Sequence, residues 1–298
     1  MPTGGPALTW PPRPSEDQIA DVVGLLAAAS DADGVAPVSE AALLRLRHPS
    51  PVTGTHLLAH DSTGTLVGYA ALEERAERST AEFAVHPEYR GGGIGGALLA
   101  ALLDRVAGPL WVWAHGEHPA ALRLAKRTGL ARKRELLQLR HGLADPIPPR
   151  ALPEGVGLRT FIPGEDEAAV VRGNNRAFSW HPEQGGWDIS DLGVREARPW
   201  FDPKGFLLAV DNQDRLLGFN WTKVHPSGAG EIYVIAVDPD AQGTGLGSAL
   251  ITAGLTHLRE RGLPEVLLYV ESDNATALRA YQKLGFTHHH TDVEFLRP

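Results

Sequence analysis

Apolar and polar positions along this chain fall into blocks that recur half a chain apart. Leu57-Leu58-Ala59 precedes the polar stretch at Asp61, and Leu66-Val67-Gly68-Tyr69 follows it. The same order returns as Phe206-Leu207-Leu208-Ala209-Val210 before Asp211 and Leu216-Leu217-Gly218-Phe219 after it. Short apolar runs around a polar turn predict one β-hairpin in each half. A further strand ends in Phe83-Ala84-Val85 in the first half and Ile235-Ala236-Val237 in the second, each followed by a Pro-bearing turn. Next come two segments patterned as helices buried along one side, 97–103 and 249–255, then strands at 110–114 and 266–270. A last helix in each half runs into Gly plus an apolar residue, Gly129-Leu130 and Gly285-Phe286, and that Gly reads as the residue just past the helix end.

This order predicts an α/β protein of two tandem domains, each a mixed, largely antiparallel central sheet flanked by helices. The segment 144–157 carries Pro146, Pro148, Pro149, Pro153, Gly155 and Gly157, the composition of an extended linker. The domains are accordingly drawn as residues 1–147 and 148–298.

The turn after the third strand is the part of the repeat that speaks of chemistry. Arg90-Gly91-Gly92-Gly93-Ile94-Gly95 and Gln242-Gly243-Thr244-Gly245-Leu246-Gly247 both fit (Q/R)-x-x-G-x-G. The interval from Arg90 to Gln242 equals that from Val85 to Val237. One such hexapeptide is weak evidence, but two in the same strand-turn-helix setting indicate a duplicated nucleotide-binding module. The first N–H groups of a helix lack partners within it and sit at its positive end, and glycines let the main chain approach a pyrophosphate. The plainer alternative is a glycine-rich turn with no ligand.

Composition narrows the class. The chain has 298 residues, 43% of them hydrophobic, enough for two cores. A net charge of −8 disfavours nucleic acid as a partner. No apolar run approaches the roughly 18 residues of a membrane span, and the amino terminus lacks the charged and apolar regions of a signal peptide. With no cysteine, disulfides and thiolate zinc sites are excluded. His288-His289-His290 is a poor metal site, because neighbouring side chains of a strand point to opposite faces, and no metal is expected. These features predict a soluble cytoplasmic protein; a monomer is the expected state, although composition does not decide it.

In its two loops the chain resembles the GNAT acetyltransferases, in which (Q/R)-x-x-G-x-G is the acetyl-CoA pyrophosphate loop. Further segments are similar to those of tandem GNAT enzymes that acetylate the amine of a small thiol sugar, cysteinyl-glucosaminyl-inositol. They are 33–40 (Asp-Gly-Val-Ala-Pro-Val-Ser-Glu), 113–116 (Trp-Ala-His-Gly), 181–187 (His-Pro-Glu-Gln-Gly-Gly-Trp), 221–226 (Trp-Thr-Lys-Val-His-Pro) and 268–274 (Leu-Tyr-Val-Glu-Ser-Asp-Asn).

The resemblance implies acetyl-CoA as co-substrate, with room for two per chain. In the first half the implied contacts are Phe83, Ala84 and Val85, and the loop Gly91, Gly92, Gly93, Ile94, Gly95 and Gly96. In the second they are Ile235, Ala236 and Val237, and the loop Gln242, Gly243, Thr244, Gly245, Leu246, Gly247 and Ser248. Asn274, Ala275, Thr276, Ala277, Leu278 and Arg279 complete the second site, although Asn274 also suits a helix cap. In the first half His118-Pro119 stands where the second has Asn274-Ala275.

The acceptor positions implied in the same way are Glu40, Glu183, Lys223, Glu231 and Tyr269. Glu40 reads equally as a helix cap, Glu183 as a loop acid and Lys223 as a surface lysine. Other acceptors remain open at this point (an aminoglycoside, a small amine, a protein N-terminus), as does a non-catalytic acyl-CoA-binding regulator. A polycationic aminoglycoside would want more acids than the one in 181–187.

Acetyl transfer to an amine needs a group to take a proton, donors for the tetrahedral oxyanion and a proton for the departing thiolate. The duplication offers an internal comparison. Glu231 lies six residues before Val237, and Ser79 lies six before Val85. Tyr281 lies four residues before Gly285, and Ala125 lies four before Gly129. The second half therefore has a candidate base and a candidate acid where the first has neither. In the resembled family the matching carboxylate and tyrosine carry those roles, and the strand 235–237 pairs with the pantetheine arm. Their alternatives are an exposed strand-end acid and a tyrosine that covers the core. His115 is assigned no role.

Overall fold

The computed structural model describes residues 5–47, 54–74, 78–179, 184–225 and 227–298. The chain divides into two compact units, residues 1–137 with 290–298, and residues 138–289.

The first unit opens with β1 (Ala7–Thr9), α1 (Glu16–Asp33) and α2 (Glu40–Arg47). Helix α1 begins at a reciprocal cap: Gln18 N–H donates to Ser15 Oγ, and Ser15 N–H donates to the Gln18 side chain. Then follow β2 (Gly54–His60), β3 (Leu66–Glu73), β4 (Ser79–Val85), α3 (Ile94–Arg105), β5 (Leu110–Ala114), α4 (Pro119–Thr128) and β6 (Ala131–Gly142). The second unit holds β7 (Val156–Thr160), α5 (Glu167–Ala177), α6 (Ile189–Glu196), β8 (Phe206–Asp211), β9 (Leu216–Val224), β10 (Gly230–Val237), α7 (Leu246–Glu260), β11 (Glu265–Glu271) and α8 (Ala275–Lys283). The last strand, β12 (Thr287–Arg297), ends in the first unit.

Both predicted hairpins are present, β2–β3 and β8–β9, and both turns close on an aspartate. Asp61 accepts from the Thr63 and Thr65 N–H groups, and Asp211 from those of Gln213 and Arg215. The hairpin glycines have a packing reason. A Cβ on Gly68 would meet Ile94 Cγ2 of α3 at 2.9 Å, and one on Gly218 would meet Leu250 Cδ1 of α7 at 3.1 Å. The helix after each loop therefore lies close on its hairpin.

The two sheets follow one plan. In the first, β1, β2, β3 and β4 pair antiparallel in sequence and β4 pairs parallel with β5. In the second, β7, β8, β9 and β10 pair antiparallel and β10 pairs parallel with β11. Beyond that point the halves trade strands. The place next to β5 is taken by β12, antiparallel, with Val293 across from Ala114 and Arg297 across from Leu110, while β6 lies beside β11. The linker at 144–157 thus separates the repeats in sequence, and the compact units exchange their final strands.

Each sheet carries a core on both faces. One face of the first sheet packs against α3 through Ile94, Leu98, Leu99 and Leu102. Its other face packs against α1 and α2 through Val22, Leu25, Ala42, Leu58 and Tyr69. In the second unit the α5–α6 face is aromatic, with Trp221 stacked on Phe206 at 4.4 Å and Phe206 on Phe161 at 4.6 Å. Fully buried rings of this size contribute on the order of 3 kcal/mol each by burial.

Candidate active site

The two glycine loops have the same construction. Gly91 and Gly93 have φ of +83° and +87°, and Gly243 and Gly245 have +77° and +90°, a region that only glycine enters without strain. Nothing lies within 4 Å of where a Cβ would stand at any of the four, so the space before each helix is open. Helices α3 and α7 start directly behind, with no side-chain cap on their first N–H groups. That arrangement fits an anionic pyrophosphate at both places. The Q/R position also has a visible purpose. Arg90 Nε donates to the Val85 carbonyl at 3.2 Å, and Gln242 Nε2 donates to the Val237 carbonyl at 3.4 Å, tying each loop to the strand before it.

A cleft of about 830 Å³ opens beside the first loop, lined by Phe83, Val85, Gly93, His118, Arg123 and Arg127 among others. This cleft lies in the half without the candidate acid and base. Volume here measures accommodation of a nucleotide, not the capacity for chemistry. Arg90 faces the same cleft with its charge engaged, bidentate to Asp33 at 2.7 and 2.8 Å.

The halves differ where the parallel strands meet. Pairing of β4 with β5 runs from Ser79–Leu110 to Glu82–Trp113. Pairing of β10 with β11 covers Gly230–Val266 and Glu231–Leu267. Beyond these pairs the strands part, leaving one backbone edge of 235–237 open. Strand β10 also carries a β-bulge: Ile232 faces Thr222 and Val234 faces Trp221, with Tyr233 between them. Strand β4 is regular against β3. The extra residue changes the comparison made by counting. Lys223 faces Glu231 and Glu73 faces Thr80, so the register counterpart of Glu231 is Thr80, not Ser79. Threonine, like serine, offers no base at neutral pH, and the contrast between the halves stands.

Glu231 is buried, with 8% of its side chain exposed, and it is bonded to His225 Nε2 at 2.7 Å. It is not an exposed strand-end acid. Counting along the chain did not bring His225 to notice. The available signal was its place two residues beyond Lys223, on the hairpin face that Glu231 shares. Lys223 is buried rather than a surface lysine, its ammonium 5.1 Å from the Trp200 ring and 5.6 Å from that of Tyr233. Arg195 Nε donates to the Tyr233 hydroxyl at 3.3 Å and its guanidinium covers Trp187. Tyr269 lies two residues beyond Leu267, the partner of Glu231, with its side chain partly exposed and its hydroxyl accepting from Gln138 Nε2 at 2.7 Å.

Tyr281 is buried in α8, edge-on to Phe286, and burial pushes its phenol up to about 12. It holds its proton across the neutral range. Ala125 takes the corresponding place in α4. Asn274 caps α8, its Oδ1 accepting from Ala277 N–H at 3.1 Å, and His118 caps α4 through Nδ1 to Ala120 N–H at 3.2 Å. The helix-cap reading of Glu40 does not hold. Ser39 is the cap of α2, its Oγ accepting from Ala42 N–H, and Glu40 is the first helical residue. Glu183 lies outside the described residues.

His115, without a role in the sequence, centres a buried network in the first unit. Its Nε2 lies 3.1 Å from Glu82 and its Nδ1 3.1 Å from Asp292 of β12. Burial alone would lower its pKa, but the two carboxylates raise it to about 10. Glu82 also accepts from Ser39 N–H and Oγ, and Asp292 from Gly116 N–H. His290 lies 3.4 Å from Asp292 and belongs to this cluster.

Comparison with known proteins agrees with this geometry. The family model "Acetyltransferase (GNAT) family" matches residues 174–286, and "Acetyltransferase (GNAT) domain" matches 53–129. The mycothiol acetyltransferase of Saccharopolyspora erythraea is 49% identical over 303 residues, covering 92% of this chain and 100% of that one. That of Actinosynnema mirum is 52% identical over 297 residues, covering 97% of this chain and 98% of that one. Among solved structures, a GCN5-related N-acetyltransferase from Sphaerobacter thermophilus superposes with TM-score 0.78 at 26% identity, covering 97% of this chain and 95% of that one. A tandem GNAT protein from the clavulanic acid biosynthesis pathway superposes with TM-score 0.75 at 20% identity over 98% of both chains, a likeness of fold.

Proposed function

The chain belongs to the GNAT acetyltransferases, among the mycothiol acetyltransferases, and we propose that its second half carries the chemistry while its first half binds acetyl-CoA without reacting. The reaction is acetyl-CoA-dependent N-acetylation of the cysteinyl amine of cysteinyl-glucosaminyl-inositol, the last step of mycothiol biosynthesis.

The observation that carries the assignment to the second half is Glu231. It is a buried carboxylate at the last pair before β10 and β11 part, and its counterpart Thr80 has no such group. Acetyl-CoA lies with its pyrophosphate on the N–H groups before α7 and its pantetheine arm against the open edge of 235–237. The thioester then enters the gap between the strands. Glu231 takes the proton of the acceptor ammonium, directly or through one water. The freed amine attacks the thioester carbonyl, and backbone N–H groups of the bulged strand steady the oxyanion. Tyr281, held protonated, gives its proton to the departing thiolate.

The acceptor contacts are Lys223, Tyr269 and Glu231, which share a face by register, together with Glu40 and Glu183 on the strength of the matching segments. In the first unit, 83–85 and 91–96 hold the second acetyl-CoA, for which the cleft has the volume. The enzyme acts as a monomer in the cytoplasm. The acceptor is tested by measuring release of the CoA thiol with cysteinyl-glucosaminyl-inositol against simple amines. Comparable kcat/KM for both would defeat the thiol-sugar assignment.

A further inference from the structure

We infer that His225 is the exit for the proton that Glu231 collects, a positioning and relay residue in the acetyl transfer. The inference rests on Glu231 being the base. An ammonium acceptor and acetyl-CoA give an amide, a CoA thiol and one free proton. The nitrogen loses two protons. One reprotonates the Tyr281 phenolate, which has given its own proton to the CoA sulfur. The other is left on Glu231 and must reach solvent before the next turnover.

The geometry supplies a route. The Glu231 side chain is 8% exposed, whereas His225 is 26% exposed and bonded to it at 2.7 Å. His225 stands at the mouth of the β9–β10 turn, its N–H donating to the Ala229 carbonyl and that carbonyl's turn closed by Gly228 at φ +86°. Its ring is thereby held between the buried carboxylate and the surface. The proton leaves the Glu231 carboxyl as the O–H bond breaks and the Nε2–H bond forms, and the imidazolium then releases a proton from Nδ1 to water. An imidazole can take a proton on one ring nitrogen and release one from the other. The charged groups nearest this pair by register are Lys223, across from Glu231, and Glu265 at the start of β11, which is engaged by Arg140 at 3.1 Å.

The test compares His225→Gln and His225→Ala in the full chain. Glutamine keeps a donor toward Glu231 but cannot carry a proton. Both variants are expected to lose roughly 10- to 100-fold in kcat, with KM for acetyl-CoA and Tm little changed. Added imidazole at fixed pH should restore kcat in His225→Ala and leave the wild type unaffected. Full kcat in His225→Gln overturns the relay. So does a folded His225→Ala that is slow but indifferent to imidazole, since that marks a contact with structural value only. Glu231→Gln separates the two levels. If it turns over normally the base itself is lost, and the relay with it. If it is inactive while His225→Gln is fully active, only the relay falls.

Discussion

Glu231 and Tyr281 stand where the first half has Thr80 and Ala125, and each leads to its own expectation. Glu231→Gln preserves shape but removes the proton acceptor, so turnover is expected to drop about 10²–10⁴-fold with acetyl-CoA affinity intact by calorimetry. Tyr281→Phe removes the hydroxyl from a buried ring with no change in the T-shaped contact to Phe286. Turnover should slow and CoA affinity should hold, and a pure loss of CoA affinity would make Tyr281 a positioning residue. Both residues were legible from the repeat, because an internal duplicate shows which groups the fold does not require. The His225–Glu231 bond was not legible, since a hydrogen bond across a turn depends on register and not on spacing. The counterpart of Glu231 was misplaced by one residue for a similar reason. A bulge adds a residue to one strand without any mark in composition.

At the level of elements, the hairpins and loop-helix units followed from the alternation of short apolar runs with Asp and Gly, and the glycine loops fell where the motif put them. Their expected separation of roles can be measured. Gly245→Glu with Gly247→Glu should abolish turnover, because an acidic side chain at a positive-φ glycine before α7 adds both strain and repulsion of phosphate. Gly93→Glu with Gly95→Glu should remove one acetyl-CoA per chain by titration calorimetry and leave most of the turnover. An N-terminal double variant that is folded but inactive would overturn the idea of a silent first half. What the pattern could not convey was the partner of each final strand. Strands β6 and β12 each follow the last helix of their own half, and the choice between a local and an exchanged partner depends on tertiary contacts. The buried Asp292 is one such contact. It makes sense only beside His115, far away in sequence.

Across the whole molecule, that contact should make stability depend on pH. His115 is raised to about 10, so its contribution is complete below about 6.5, the free value, and is lost as pH rises from there toward about 10. Glu82 and Asp292 lie below the usual carboxylate range: burial raises each, but the bonds to His115 outweigh it. Their contribution is present above about 4 and is lost in acid. Thermal unfolding should therefore show Tm falling on the alkaline side, with that slope flattened in His115→Gln. The exchanged strand also bears on how the chain is made. Residues 290–298 complete the first unit and are synthesised only after the whole of the second repeat. The first unit cannot finish folding until residues 290–298 have left the ribosome. The first unit must therefore wait for the second repeat to be made, and cutting the gene at the linker would yield two fragments, each lacking a strand that the other carries.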